Sequence, residues 1–590
     1  MLAPALRLRQ EAALLSSAGE HEQAVDAWRA ALNANPGDAR TAYELGLSLV
    51  ASGRHGEAVA AFERALLHEP DGRASKLALA YAFANSGRAA EARNSFDDLL
   101  IRKPDDAEAL AGKAASLRHL GQHEAALMLA ERAAGIDPGN AEALLEQGRA
   151  LLELKRLPEA IPVLEALSRQ HPEHNEAAQH LARAYQQDKR FLEAAELFRK
   201  VAAARPNDPF VWHDLANALQ GAKASPEALD AFRRALALKP GFAAAYANMA
   251  LALADLDRLD EAMHAVDLAL SIEPDSHTVL FLRANLLLMR GEYREGWKAY
   301  EDRFFRDGPR GLREDIHAAP WHGEPIEGRS ILVLGEQANG DYIQFSTWVK
   351  ALTDRGAKVA FFVPARLARL LSTLPGDVRV IEGLDSSMRF DFQCHLMSLP
   401  HRLGLLGVHD VPTEPWLHAE PELVAHWRSR IGPDGFRVGV AWQGSNNDAR
   451  SFNPLHLAPL ARIPGVRLIS LHTEKAVPAA SFPPGFAIES LGAEFDDGAD
   501  GFIDTAAAIT ALDLVISCDT AIPHLAGALG KPAWIALNNA PEWRWRRGVD
   551  RAVWYPKARL FRQATRMDWD GVFRRISEEL AGLVAARRAV

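Results

Sequence analysis

Proline recurs in this chain with a period that does not drift. Pro36, Pro70, Pro104, Pro138, Pro172, Pro206, Pro240 and Pro274 each stand 34 residues after the last. With 33 prolines in 590 residues, each further coincidence has a chance of roughly 1 in 18, so the period belongs to the fold. Ten residues after each proline stands a small residue: Gly46, Ala80, Ala114, Gly148, Ala182, Ala216, Ala250 or Ala284. Another set follows at 22 residues: Ala58, Ala92, Ala126, Ala160, Ala194, Ala228, Ala262 and Gly296, with Ala24 marking a ninth unit upstream. Small residues at two fixed places let the two helices of a hairpin approach closely, and each proline ends the second helix. Such a hairpin cannot bury its apolar side alone, so neighbours stack into a right-handed superhelix.

Four residues beyond the second small position come mostly larger apolar groups, Trp28, Phe62, Phe96, Leu164, Phe198, Phe232 and Tyr300. The pattern resembles the Ala-x-x-x-Phe part of the tetratricopeptide signature. The resemblance covers residues 5–306, about nine repeats, and implies an α-solenoid whose inner groove holds a protein partner. In the nucleocytoplasmic O-GlcNAc transferases, asparagines two residues before the first small position line that groove. Here the equivalent residues are Glu44, Ala78, Gly112, Glu146, His180, Asp214, Asn248 and Leu282. A ladder of asparagines that reads backbone is therefore not expected, and recognition through side chains of a narrower partner set is.

Composition bounds the rest. Hydrophobic residues make up 48% and charged residues 24%, an ordinary globular balance, and no apolar run approaches the roughly 18 residues that a membrane span needs. The first residues, MLAPALRLRQEAALL, read as amphipathic helix without a cleavable leader, which predicts a cytoplasmic protein. Neither of the two cysteines, Cys394 and Cys518, has metal-ligand spacing. A formal charge of −10 disfavours nucleic acid as a partner.

After Phe304 the period is lost. A Gly-, Pro- and Arg-rich stretch, residues 307–328, reads as a linker. Short apolar runs then alternate with helical segments: Ser330 to Leu334, Lys358 to Val363, Val378 to Glu382, Arg437 to Trp442, Val466 to Leu471, Asp513 to Ser517 and Ala533 to Leu537. The alternation predicts parallel sheets of Rossmann type. A helical break from Pro421 to Pro433 divides them into two lobes, residues 329–420 and 421–590, and such folds bind ligands outside the carboxyl ends of their strands.

Two strand-to-helix turns carry candidate chemistry. The first, Leu334-Gly335-Glu336-Gln337-Ala338-Asn339-Gly340-Asp341, matches neither a dinucleotide fingerprint nor a Walker loop. Asp341 at its helix start is a cap, a general base aimed into the cleft, or both. The second runs from Cys518-Asp519-Thr520 through Pro523 and His524 to Gly530. Thr520 suits an N-cap and Pro523 a first turn, and the bare N–H groups there make a ready phosphate site with His524 beside it.

These residues resemble sugar transferases of the two-lobed GT-B type, near the heptosyltransferases and a group of bacterial proteins with tetratricopeptide arrays. The resemblance covers residues 290–580. Its markers are the run from Gly291 to Glu301, Gly-Glu-Gln-x-x-Gly-Asp-x-Ile-Gln-Phe from 335 to 345, Asp519-Thr520 with His524, Glu542-Trp543-Arg544-Trp545, and Trp554-Tyr555-Pro556. It implies Asp341 as the base, with Asp519, Thr520 and His524 holding the donor's sugar and phosphate beside Gly340. It also places Gln443, in the turn Trp442-Gln443-Gly444-Ser445, and Arg450 near the nucleotide phosphates, where a cation would stabilise leaving-group charge. Two departures, Ala338-Asn339 in the first turn and Gln443 for a commoner serine, point to a different donor. Asp568-Trp569-Asp570, the one Asp-x-Asp after residue 311, reads as a helix cap, so neither metal nor cofactor is predicted.

The function implied is transfer from a nucleotide sugar to Ser or Thr of a protein held by the array. The flagellin glycosyltransferases, whose donor is a nonulosonic acid, are the group most resembled. A noncatalytic adaptor with a degenerate transferase-like domain, and a glycan or lipid transferase, are the alternatives.

Overall fold

The computed structural model describes residues 2–306, 312–405, 407, 410, 413–444, 450–473, 486–540 and 542–588. Ser445 of the turn Trp442 to Ser445 and residues 307–311 of the expected linker lie outside these. The chain forms two compact units, residues 1–240 and 241–590.

Unit one consists of helical hairpins, from the helix Leu2–Ser17 to the helix Ser225–Leu238. From Ala39 onward, helices of 13 and 14 residues alternate. Each periodic proline sits in the turn between hairpins. Two residues later comes the cap of the next helix: Asp38 accepts from the Thr41 N–H, Asp106 from Ala109, Asn140 from Ala143 and Asp208 from Phe210. The proline ends one helix and a short polar side chain starts the next, which fixes the turn length. The small positions pack as expected, with Ala58, Ala92, Ala126, Ala80 and Ala114 at zero exposure. A Cβ on Gly46 would lie 2.4 Å from the Phe62 ring, and one on Gly148 2.5 Å from Leu164.

Unit two begins with hairpins of the same register, Ala243–Asp255 with Leu259–Ile272 and His277–Arg290 with Tyr293–Ala299. The expected boundary at residue 306 therefore lies inside a compact unit. Trp297 explains why. Its buried ring meets those of Phe345, Trp543 and Trp554 edge-on, at centroid distances of 5.6, 5.2 and 6.4 Å, so the last repeat shares a core with the sheets.

Two five-stranded parallel sheets follow. The first holds β1 (His317–Pro320), β2 (Ser330–Leu334), β3 (Lys358–Phe362), β4 (Val378–Ile381) and β5 (Arg389–His395) in the order β1-β5-β2-β3-β4. The second holds β6 (Phe436–Ala441), β7 (Val466–Ser470), β8 (Leu514–Cys518), β9 (Ala533–Leu537) and β10 (Ala558–Arg562) in the order β10-β9-β8-β6-β7. A parallel bridge from Ile469 to Glu489 extends the second sheet beyond β7. Each sheet winds outward in both directions from its first long strand, which puts switch points between β2 and β5 and between β6 and β8. All seven expected strands are present within one residue at their ends. Three were not expected. β1 corrects the linker, because residues 317–320 pair with β5 and Trp321 beside them is buried.

Candidate active site

The site grows from two helix starts that meet. β2 ends at Leu334, and its turn enters the helix Asn339–Thr353; β8 ends at Cys518 and enters the helix Ala521–Ala528. A Cβ placed on Gly340 would stand 3.1 Å from His524 Cδ2 and 3.6 Å from Ala521 Cα. Glycine at 340 therefore lets the two helix N-termini close to van der Waals distance. Gly444 does the same for the turn after β6, since a Cβ there would be 3.3 Å from Thr520 Cγ2. Exposed Gln443 lies in that turn. Gly340, Thr520, His524 and the Gln443 turn, singled out separately along the sequence, are thus neighbours at the carboxyl ends of both sheets.

Asp341 combines both readings of it in one geometry. Its Oδ2 accepts the Ala338 N–H at 3.0 Å, capping the helix, while Oδ1 accepts from the Arg544 guanidinium. Arg544 is the residue that sequence reasoning missed. It also donates to Glu542 Oε1 at 2.6 Å and to Gln344 Oε1 at 2.9 Å, and it lies 4.0 Å over the Trp543 ring. Burial alone would lower the pKa of this cation. Glu542 and Asp341 outweigh burial and raise it, so the guanidinium stays charged. Burial raises the Glu542 carboxyl against the pull of Arg544. The signal was present in the Glu-Trp-Arg-Trp marker, but no spacing in the sequence tied it to Asp341, 203 positions away.

His524 is 5% exposed, and its Nδ1 lies 2.7 Å from the Tyr555 hydroxyl. Its ring stacks on Trp545 at 5.2 Å. Burial first, then the charges of Arg544 and Arg450, push its pKa down to about 3. Burial pushes the Tyr555 hydroxyl well up, so it keeps its proton. The imidazole is therefore neutral at pH 7, with Nδ1 bonded to Tyr555 and the Cδ2–Nε2 edge facing the Gly340 turn. His524 can form a hydrogen bond there but cannot supply a proton from an imidazolium.

Thr520 is the N-cap foreseen, accepting the Ile522 N–H at 3.3 Å. Asp519 is held by Trp545 Nε1 at 2.8 Å and by Arg450 Nη1 at 3.3 Å. Arg450 is nearly half exposed. Two guanidiniums thus face the three carboxylates Asp341, Asp519 and Glu542, so attraction for an anionic ligand falls mainly to the N–H groups of the helix starts. Asp568 accepts the Gly571 N–H at 2.8 Å at the head of the last helix, as a cap does.

The remaining markers prove to be a clamp behind this site. Arg303, 7% exposed, donates to both carboxylate oxygens of Glu336 at 3.1 and 2.8 Å, to Glu301 Oε1 at 2.8 Å and to Ser398 Oγ at 2.8 Å. Glu336 also accepts the Met397 N–H at 2.9 Å. The Gly291–Glu301 and Gly335–Phe345 markers are therefore two halves of one joint between the last repeat and the first sheet.

Comparison with known proteins supports the helical half directly. Profiles of the tetratricopeptide repeat match residues 10–75, 145–209, 49–116 and 243–276. Protein FlbA of Caulobacter vibrioides is 29% identical over 339 residues, which are 52% of this chain and 55% of that protein. The chain thus spans little more than half the length of this relative. Among solved structures, YrrB, a TPR protein with an unusual peptide-binding site, is 21% identical. That likeness covers 32% of this chain and 97% of YrrB with a TM-score of 0.30. The Cut9–Hcn1 hetero-tetramer of the APC/C is 18% identical over 48% of this chain and 56% of the matched one, with a TM-score of 0.37. Among the described residues no helix is long and apolar enough to cross a membrane. The chain is thus a solenoid of tetratricopeptide repeats, a scaffold suited to holding peptide or protein, followed by an α/β region of two parallel sheets.

Proposed function

We propose that this chain transfers a sugar from a nucleotide-activated donor to a Ser or Thr hydroxyl of a protein held by the repeats. The observation that carries the proposal is the meeting of two helix N-termini at the carboxyl edges of two parallel sheets, with Asp341, Thr520 and His524 at the junction. Such an edge is where open α/β sheets bind ligands, and a helix start is where a phosphate binds. In this reading Asp341 takes the proton of the acceptor hydroxyl, with Arg544 fixing its orientation. The helix starting at Ala521, His524 in the tautomer with its proton on Nε2, and Arg450 stabilise the charge that grows on the departing nucleotide phosphate. Gln443 and Asp519 line the donor side. The repeats raise the acceptor's effective concentration. Flagellin as acceptor and a nonulosonic acid as the transferred sugar are the specific choices that the family resemblance favours.

A noncatalytic adaptor is the rival, and one observation favours it: Arg544 already occupies an oxygen of Asp341. Co-expression with a candidate flagellin, followed by intact-mass measurement, separates the two. The wild type is expected to add the mass of one or more sugars. Asp341→Ala and His524→Ala should each cut the modified fraction sharply, on the scale of the 10²- to 10⁴-fold that a positioned acid or base contributes. Undiminished modification by the double variant would sink the catalytic reading.

A further inference from the structure

The repeats of unit one hold a groove of about 1100 Å³ with an unusual wall. Seven carboxylates line it against three cations, Lys103, Arg118 and Arg149. Most of the acids are answered from within the fold. Glu146, 1% exposed, is bound by Arg118 at 2.7 Å and Arg149 at 2.7 Å; Asp106 is bound by Arg73 at 2.8 Å, and Asp105 by Arg132 at 2.6 Å. Glu142 is the exception, half-buried on the wall and making neither a salt bridge nor a hydrogen bond. Burial and the neighbouring charge of Glu146 push its carboxyl above the usual range, outweighing the pull of Arg149 and Arg118, which are engaged by Glu146. The Tyr81 hydroxyl is raised as well, by burial and then by Glu142 and Glu108, which places that ring beside the same wall. Gly112 and Ala115 also line the groove; glycine at 112 makes room for the buried Phe96 ring, which a Cβ there would meet at 2.2 Å. A carboxylate drawn out of water without a partner is costly, and a cation arriving with a ligand relieves that cost. The space beside it, and the Tyr81 ring, fit an alkyl stem ending in a positive charge.

We infer that this groove takes a protein segment that seats a lysine or arginine side chain against Glu142, between Tyr81 and Glu146. The inference rests on the reading of the repeats as the arm that holds a protein, and it specifies that arm's chemistry. Glu146 and His180, where an asparagine ladder would stand, are tied to Arg149 at 2.7 and 3.0 Å. They set the wall and leave Glu142 to select.

Random dodecapeptides displayed on phage, selected on the immobilised full chain and on Glu142→Gln, test this. Lysine and arginine should be enriched at one position of the peptides recovered on the wild type and on Glu142→Asp, but not on Glu142→Gln. A recovered peptide labelled with fluorescein should bind Glu142→Gln about ten-fold more weakly by anisotropy, the loss expected of one partly desolvated ion pair. Recovered peptides without basic enrichment, or basic peptides that bind both chains alike, overturn the inference. Glu142→Gln should melt no lower than the wild type, since it removes a like-charge contact, so a loss of selectivity cannot be put down to unfolding. Selection needs no sugar transfer. A groove that selects basic peptides while no acceptor gains mass therefore refutes the catalytic reading alone, and the reverse result refutes the groove alone.

Discussion

Single residues decide most about the site, and they were unequally legible. Thr520 and Asp341 announce themselves because capping is local: the side chain serves an N–H two or three positions away. Arg544 does not, because its three acceptors, Asp341, Gln344 and Glu542, come from both ends of the α/β region. Arg544→Gln leaves Asp341 and Glu542 with backbone donors but without their buried counter-charge, and we expect a loss of about 3–5 kcal/mol in denaturant unfolding. Arg544→Lys should recover little of it, since one ammonium cannot serve three acceptors in a plane. His524 gives a prediction in pH. Its folded pKa is about 3 against an ordinary 6.5, so between these values the unfolded chain binds a proton that the folded chain refuses. Stability therefore falls as pH drops below 6.5, by about 1.4 kcal/mol per unit from this residue. Urea unfolding at pH 7 and pH 5 should show a drop that His524→Asn reduces by about 2 kcal/mol. An equal drop in both chains would mean that the imidazole titrates normally in the fold.

At the level of elements, the repeats were legible because the prolines and both small positions share one register. One more signal in that register is visible only in the backbone. The residue turning each hairpin lies at positive φ: Gly19, Gly53, Gly87, Gly121, Lys155, Lys189, Lys223, Asp257 and Gly291. A left-handed residue costs lysine about 1–2 kcal/mol relative to glycine, offset in part by the greater freedom of glycine in the unfolded chain. Lys155→Gly, Lys189→Gly and Lys223→Gly should each stabilise unit one by roughly 0.5–1 kcal/mol, and additively because the turns are far apart. A higher denaturant midpoint with an unchanged slope is the expected result. Most of the expected strands are buried on both faces, as at Ile331, Leu332 and Val333 in β2, and read as continuous apolar runs; the edge strand β4 is the exception, legible from its β-branched Val-Arg-Val-Ile. β5 and β10 escaped because polar residues alternate in Arg-Phe-Asp-Phe and flank Leu-Phe in Arg-Leu-Phe-Arg. β1 escaped because it is a four-residue edge ending in Pro320, whose missing N–H only an edge tolerates.

For the whole molecule, the end of the sequence period and the end of a folding unit are different things. The period stops near residue 304, yet the compact division falls at 240. The final hairpins carry the repeat's small residues, as at Gly296, whose added Cβ would lie 2.7 Å from Leu288. They also carry Tyr293, Trp297 and Tyr300, at 1%, 1% and 3% exposure, and these need the sheets to cover them. A chain cut after residue 240 keeps seven hairpins whose contacts are between neighbours, and stacked repeats of that kind fold without distant help. It should be soluble and unfold in a single cooperative transition. A chain cut after residue 306 keeps more repeats but uncovers the Trp297 cluster and strands Arg303 without Glu336. It should bind hydrophobic dye and aggregate, although by period alone it is the more complete array. In the full chain Trp297→Ala should cost about 3–5 kcal/mol and do so in residues 241–590 only, leaving hydrogen-exchange protection in residues 1–240 unchanged. If the longer fragment proves the better behaved of the two, the last repeat belongs with the array and the clamp around Arg303 contributes little to holding unit two together.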